Sequence, residues 1–288
     1  MKRNLHLLVI DPQNDFCDLP ASHCPANPDG RTAAPSLPVN GAHADMLRLA
    51  ELINQGCRGL SGISITLDSH HKFDIAHPTF WVGTNGGSVS PFTEITAADV
   101  RAGKFLPRFP AALSRTLTYL DALEAAGRYH LMVWPVHCEI STWGHDVHAD
   151  VYAAYNRWED STFGIVNKVT KGLNPWTEHY SAVMAEVPDD SDSDTQLNRG
   201  FIDLLRQADC IYIAGEAGSH CVKATTEHIV EQFGFASASK LVLVTDCMSP
   251  VEGNEAQYDT FVRDMMAHGV QTATSTDVSL DLLFNAAR

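Results

Sequence analysis

Ile211-Tyr212-Ile213-Ala214-Gly215-Glu216-Ala217-Gly218-Ser219-His220-Cys221 is the stretch on which the fold turns. An apolar strand-like run enters a glycine-rich turn, and a helical pattern follows over 221–233. Strand, tight turn and helix in direct succession make half of a βαβ unit. Working outward, the same rhythm recurs. Strands are expected at 5–10, 63–67, 130–134, 165–169 and 241–244, as well as 211–214. Helices are expected at 42–55, 111–126, 145–158, 196–207, 221–233, 255–267 and 277–286, with Gly127, Gly234 and Gly269 placed as stops. The alternation predicts an α/β chain, a three-layer α/β/α arrangement around a mostly parallel central sheet.

Three stretches break the rhythm. Residues 18–40 read as a surface loop, 78–110 as a long irregular segment rich in Gly and Pro, and 186–195 as an acidic loop. With the helix that follows the second, the expected insertions are 18–40, 78–128 and 186–195, all within one domain spanning 1–288.

Composition narrows the function. Lys and Arg total 20 against 35 Asp and Glu, a formal charge of −15, which argues against nucleic acid or an anionic membrane as partner. No apolar run approaches the roughly 18–20 residues that span a bilayer. Met1-Lys2-Arg3 has the charge of a signal peptide, but the apolar run Leu5 to Ile10 meets Asp11 too soon, so a strand is expected. An odd count of seven scattered cysteines predicts reduced thiols and a cytoplasmic setting. Self-association is left open by the sequence.

In an open parallel sheet, ligands bind beyond the carboxyl ends of the strands. Those ends carry Asp11, then Asp68-Ser69-His70-His71, then Trp134-Pro135-Val136-His137-Cys138, then Lys168 and Lys171, then Cys221. Cys221 opens a helix, where unpaired N–H groups and the dipole favour a thiolate and can hold an oxyanion. Asp11 is a candidate base for its proton. Asp68 and His70, two apart on an extended segment, point the same way and can reach one ion. His137 is a candidate third ligand and His77 a fourth, while His71 faces away. Nitrogen and oxygen donors suit zinc, iron or manganese. Lys168 and Lys171 fall on opposite faces of a strand, and spacing alone does not choose between them. Each residue taken singly has an ordinary structural role open to it: a buried thiol, a hydrogen-bonded histidine, a solvated lysine.

Together these segments resemble the cysteine hydrolases of the isochorismatase-like superfamily, and among them the nicotinamidases. The resemblance runs from Leu5 to about Val270. Asp11-Pro12-Gln13-Asn14-Asp15-Phe16 is similar to the family's opening D-x-Q-N-D-F, Asp68-Ser69-His70 to its metal pair, and Trp134-Pro135-Val136-His137-Cys138 to its W-P-x-H-C. Lys171-Gly172 with Tyr180-Ser181-Ala182 resembles its lysine segment, and Ser219-His220-Cys221-Val222 its nucleophile segment T-D-x-C-V. The resemblance implies the isochorismatase-like hydrolase fold and a metal-dependent amidase that hydrolyses nicotinamide through a Cys221 thioester, within NAD salvage. Asp11 would be the base, Lys171 the charge-stabilising lysine, and the N–H groups of Ala217 and Cys221 the oxyanion hole after a cis Glu216–Ala217 bond. Phe16 and Trp134 would sandwich the ring. Asp68, His70 and His137 would hold one divalent ion, zinc first with iron or manganese as alternatives, and His77 is a further candidate. The alternatives are another small amide or ureido substrate, or a metal-activated water with Cys221 structural. Ser219 and Glu216 depart from the family pattern, as does the length of the 78–128 insertion.

Overall fold

The first strand, β1 (Leu5–Ile10), is buried along its whole length, and the rest of the sheet is built outward from it. In the computed structural model, which describes residues 1–26 and 30–288, the strands that follow are β2 (Gly62–Asp68), β3 (Trp81–Gly83), β4 (Thr93–Ile95), β5 (Phe105–Pro107), β6 (Leu131–Val133), β7 (Asn167–Lys171), β8 (Cys210–Gly215), β9 (Leu241–Val244) and β10 (Gln271–Ala273). The α-helices are α1 (Ala42–Gly56), α2 (Ala97–Arg101), α3 (Leu113–Ala126), α4 (Ala149–Thr162), α5 (Arg199–Arg206), α6 (Cys221–Phe233), α7 (Glu255–Ala267) and α8 (Ser275–Ala286). Six strands form one parallel sheet in the order β10-β9-β8-β1-β2-β7.

Side-chain alternation along β1 builds two cores. Leu5, Leu7 and Val9 pack with residues of α1, α4 and α8 on one face, while Leu8 and Ile10 join those of α5, α6 and α7 on the other. The chain winds outward from β1 through β2 to β7, then returns to β8 on the opposite side of β1 and continues to β10. The winding direction therefore reverses between β1 and β8, which makes the crevice beyond their carboxyl ends the natural ligand site.

The expected three-layer α/β/α arrangement is present. Its details differ in ways with physical causes. The 130–134 segment is not a strand of the main sheet: β6 pairs antiparallel with β4, because β7 already occupies the free edge of β2. The 78–110 stretch is not irregular. Its strands form two short ribbons, and they close with α2 and α3 over a third core containing Phe80, Trp81, Ile95, Leu120 and Val133. Strand β7, expected at 165–169, begins two residues later and ends on Lys171. Helix α4 also starts later, because the backbone of 144–148 bonds the opening loop instead, Asp15 N–H to Gly144 O at 3.0 Å and His148 N–H to Pro12 O at 2.8 Å. Edge strand β10 is too short and polar to show as a periodic pattern. The expected loop 18–40 includes residues 27–29, which lie outside the described residues.

Close approach of β1 to β8 depends on Gly215, at φ +119°, where a Cβ would come within 2.0 Å of the Ile10 carbonyl oxygen. Gly215→Ala is therefore expected to destabilise the fold by more than about 2 kcal/mol, since backbone must move. Gly127→Ala, at φ +67° in open space, should cost only about 1 kcal/mol. Urea unfolding of both variants measures the difference, and equal costs would contradict it.

Candidate active site

The carboxyl ends of β1, β2, β7 and β8 bring four reactive side chains into one dry cluster. Asp11, just past β1 at φ +42°, is fully buried and braced by Thr66 of β2: the Thr66 hydroxyl accepts from the Asp11 N–H at 3.0 Å and donates to its Oδ1. Lys171 Nζ lies 2.8 Å from Asp11 Oδ2, 2.9 Å from Asp68 Oδ1 and 3.6 Å from Cys221 Sγ. Lys168, three residues earlier, is exposed, so the strand's alternation separates the two lysines as their spacing required. Gln13 clamps Asp68 through both backbone groups, donating to its carbonyl at 2.8 Å and accepting from its N–H at 2.7 Å.

Burial and charge divide the roles. Burial raises the Asp11 carboxyl above its usual range although Lys171 pulls it down. Burial acts on Asp68 in the same sense, but His70 and Lys171 outweigh it and hold that carboxyl well below. The Lys171 ammonium, though buried, is held well above its usual range by Asp11 and Asp68. Burial likewise pushes the Cys221 thiol up, with Lys171 pulling against it. Both the Asp11 carboxyl and the Cys221 thiol beside the Lys171 ammonium are thus shifted toward their protonated forms.

Cys221 is the first residue of α6, and no hydrogen bond among the described residues uses its N–H or that of Ala217. Between them, 215–220 bends around its own carbonyls, with His220 and Val222 both donating to Ala217 O. The Glu216–Ala217 peptide is cis. The thiol opens into a small, largely apolar cavity lined by Phe16, Leu37, Trp134, Tyr180, His220 and Val251, together with Asp68, His137, Glu178 and Ala217. Trp134 Nε1 donates to the Tyr180 hydroxyl at 3.0 Å.

His137, on the cavity wall, belongs to a group of three buried imidazoles. The ligand atoms of His70, His77 and His137 all sit within 4.8 Å of one another. Asp68 Oδ2 is 3.1 Å from His70 Nε2 and 3.3 Å from His137 Nε2. Asp74 meets the far nitrogen of His70 at 3.1 Å, and His77 Nδ1 is buried with no partner. His71 is exposed. Trp134 and His137 arrive from the ribbon unit through β6, while Asp68 and His70 come from β2.

Several residues of the site were not foreseen. Thr66 shares a face of β2 with Asp68, so period two could have found it. Glu178 is 5 % exposed, its Oε2 has no partner, and burial raises its carboxyl to about 7. His220 borders the cavity. Ser219 Oγ accepts from the Val251 N–H at 3.0 Å and shares a hydrogen bond with His220 Nδ1 at 2.9 Å.

No protein-family model matches the chain, and no curated protein matches it in sequence. Solved structures do match its fold. A nicotinamidase–pyrazinamidase of Acinetobacter baumannii superposes with a TM-score of 0.61 at 22 % identity, covering 96 % of this chain and 98 % of its own. An isochorismatase-like hydrolase from Alkaliphilus metalliredigens gives 0.51 at 14 % identity, over 95 % and 96 %. The chain has the isochorismatase-like hydrolase fold. A pyrazinamidase of Pyrococcus horikoshii in complex with zinc shares it, with a TM-score of 0.50 at 18 % identity over 94 % of this chain and 99 % of its own.

Lys171 is a buried cation between the carboxylates of Asp11 and Asp68. Lys171→Met should leave Asp11 and Asp68 uncompensated and cost about 3–5 kcal/mol in urea unfolding of the metal-free protein. A loss under about 1 kcal/mol would mean that water reaches the cluster.

Proposed function

We propose that this chain is a metal-dependent cysteine amidohydrolase that converts nicotinamide to nicotinate and ammonia. One observation carries the reading: a buried thiol at a helix start, grouped with an acid and a lysine, opens into an aromatic cavity walled in part by one of three clustered histidines. Solved structures of nicotinamidases and pyrazinamidases with the same fold support it.

In this reading Asp11 takes the Cys221 proton as Sγ bonds to the amide carbon. The carbonyl π pair moves onto oxygen, where the N–H groups of Ala217 and Cys221 receive it. As the C–N bond breaks, Asp11 returns the proton to the leaving nitrogen and ammonia departs. Water then attacks the thioester carbon, giving its proton to Asp11. The C–S bond breaks and the acid is released. Lys171 stays charged throughout and offsets whichever neighbour is anionic. Phe16 and Trp134 hold the flat ring.

Asp68, His70 and His137 would hold one divalent ion, with His77 as a further donor; the unpartnered His77 Nδ1 and the convergence of Asp68 Oδ2 on two imidazoles fit such a set. When bound, the ion supplies a Lewis-acid contact for the ring nitrogen or for a water. The zinc complex of the Pyrococcus protein supports zinc as the first choice. We place the reaction in nicotinamide recycling for NAD in the cytoplasm, a setting in keeping with seven unpaired cysteines.

Purified protein should release ammonia from nicotinamide. Cys221→Ala should lower kcat by about 10⁴ or more, Asp11→Asn by about 10²–10⁴. Elemental analysis should find one metal per chain, lost in His70→Ala. Activity surviving in Cys221→Ala would replace the thiol mechanism with metal-activated water. No release despite bound metal and an alkylatable Cys221 would remove nicotinamide as the substrate and send the test to other small amides.

A further inference from the structure

The segment 215–219, which carries Ala217, is stitched to the stretch after β9. Gly215 N–H donates to Cys247 O at 2.9 Å, Gly218 N–H to Ser249 O at 2.8 Å, and Val251 N–H to Ser219 Oγ at 3.0 Å. One side chain adds an anchor from outside this ladder. Glu216 is 0 % exposed and meets the carboxyl of Asp45 on α1, itself 2 % exposed. Ser249 joins the pair, its N–H donating to Glu216 Oε2 at 3.2 Å and its hydroxyl to Asp45 Oδ2 at 2.5 Å. Arg48 takes Asp45 Oδ1. Every acceptor of the pair then has a donor except Glu216 Oε1, which is buried and unpartnered.

Two ionised carboxylates in contact leave that oxygen with only acceptors around it, and no cation reaches Glu216 among the described residues. A single proton removes both faults, since a neutral Glu216 donates to Asp45 and one negative charge remains opposite Arg48. We propose that Glu216 holds a proton shared with Asp45, and that this singly protonated pair positions the Ala217 N–H as an oxyanion donor. Glu216 is a positioning residue: its side chain faces α1, away from the cavity. The catalytic half of the inference rests on the function proposed above; the proton does not.

The groups facing the Glu216 carboxyl are Asp45 from α1, Asp18 and Cys17 from the loop after the opening motif and Tyr258 from α7, while Arg48 and Cys247 face its partner Asp45. Burial and the two neighbouring acids all favour the neutral form and hold Glu216 well above the usual carboxyl range. A group raised in the folded state binds its proton more tightly there than in the unfolded chain. Its contribution to stability is complete below the unfolded value and is lost as pH rises through the folded one.

Glu216→Gln keeps a donor toward Asp45 and an acceptor for Ser249 but cannot titrate. The expected result is that Tm of Glu216→Gln relative to the native protein climbs between about pH 5 and pH 9, other buried carboxyls cancelling in the comparison. Parallel profiles would overturn the shared proton. For positioning, Glu216→Gln should keep kcat within about threefold near pH 6 and extend the alkaline limb, while Glu216→Leu should lose kcat about tenfold or more with KM little changed. An unchanged kcat in Glu216→Leu would overturn the positioning role. If the native protein turns over no amide, the proposed function fails, and the Tm profiles still decide the proton.

Discussion

One ammonium group lies where three strands end, and the site depends on it. Lys171 Nζ touches the carboxylates of Asp11 and Asp68 and reaches the Cys221 sulfur in a space closed to water. At low local dielectric such a charge is costly unless its partners are fixed in place. Strand register supplies the fixing: Asp68 pairs directly with Lys171, and Ile10, the residue before Asp11, pairs with Gly215. A slip of one residue in β7 would turn Lys171 outward and leave two acids facing each other. Sheet pairing and acid–base chemistry are thus the same constraint seen at two scales.

Much of this was legible in the chain. Helices α6 and α7 follow the residue pattern end to end, because each has a stripe of apolar positions between clear stops. Asp11, Asp68, His70, Lys171 and Cys221 could be placed near one another because strand ends in a parallel sheet share an edge, whereas His137 reaches them from the separate β4–β6 ribbon. What was not legible depended on partners distant in sequence. Leu131–Val133 reads as a sheet strand, but Asn167–Lys171 holds the edge of β2 and Thr93–Ile95 pairs with Leu131–Val133 instead. The surroundings of the thiol were hidden for a similar reason: a helix start is visible in sequence, but the burial that raises the Cys221 thiol is not. Glu178 and His220 carry no local signal, since both depend on how a loop folds over the cavity.

The site also shows how polarity is graded over a short distance. At the thiol, nearly every polar atom is committed: Thr66 and Lys171 to Asp11, and Gln13 to the Asp68 backbone. Asp11 Oδ2 has the Lys171 ammonium at 2.8 Å as its counter-charge, whereas His77 Nδ1 and Glu178 Oε2, toward the histidines, are buried with no partner. A closed network resists rearrangement, whereas open valences invite a guest. The rigid end carries the bond-making sulfur, and the open end is where something exchangeable belongs.

The ribbon unit built from 78–133 has its own packed interior, and the chain leaving it carries Trp134 and His137 to the cavity. It is also tied across to the rest of the chain: Arg115 to Asp189, Arg128 to Glu227, and the Glu178 N–H to the Tyr119 hydroxyl at 3.1 Å. Asp68 and His70 come at the end of β2 in the main sheet, and Cys221 opens α6. The cavity therefore lies between two packed cores. Any ion held there would take donors from both sides, so the same cross-ties would set its coordination and the width of the ring pocket together.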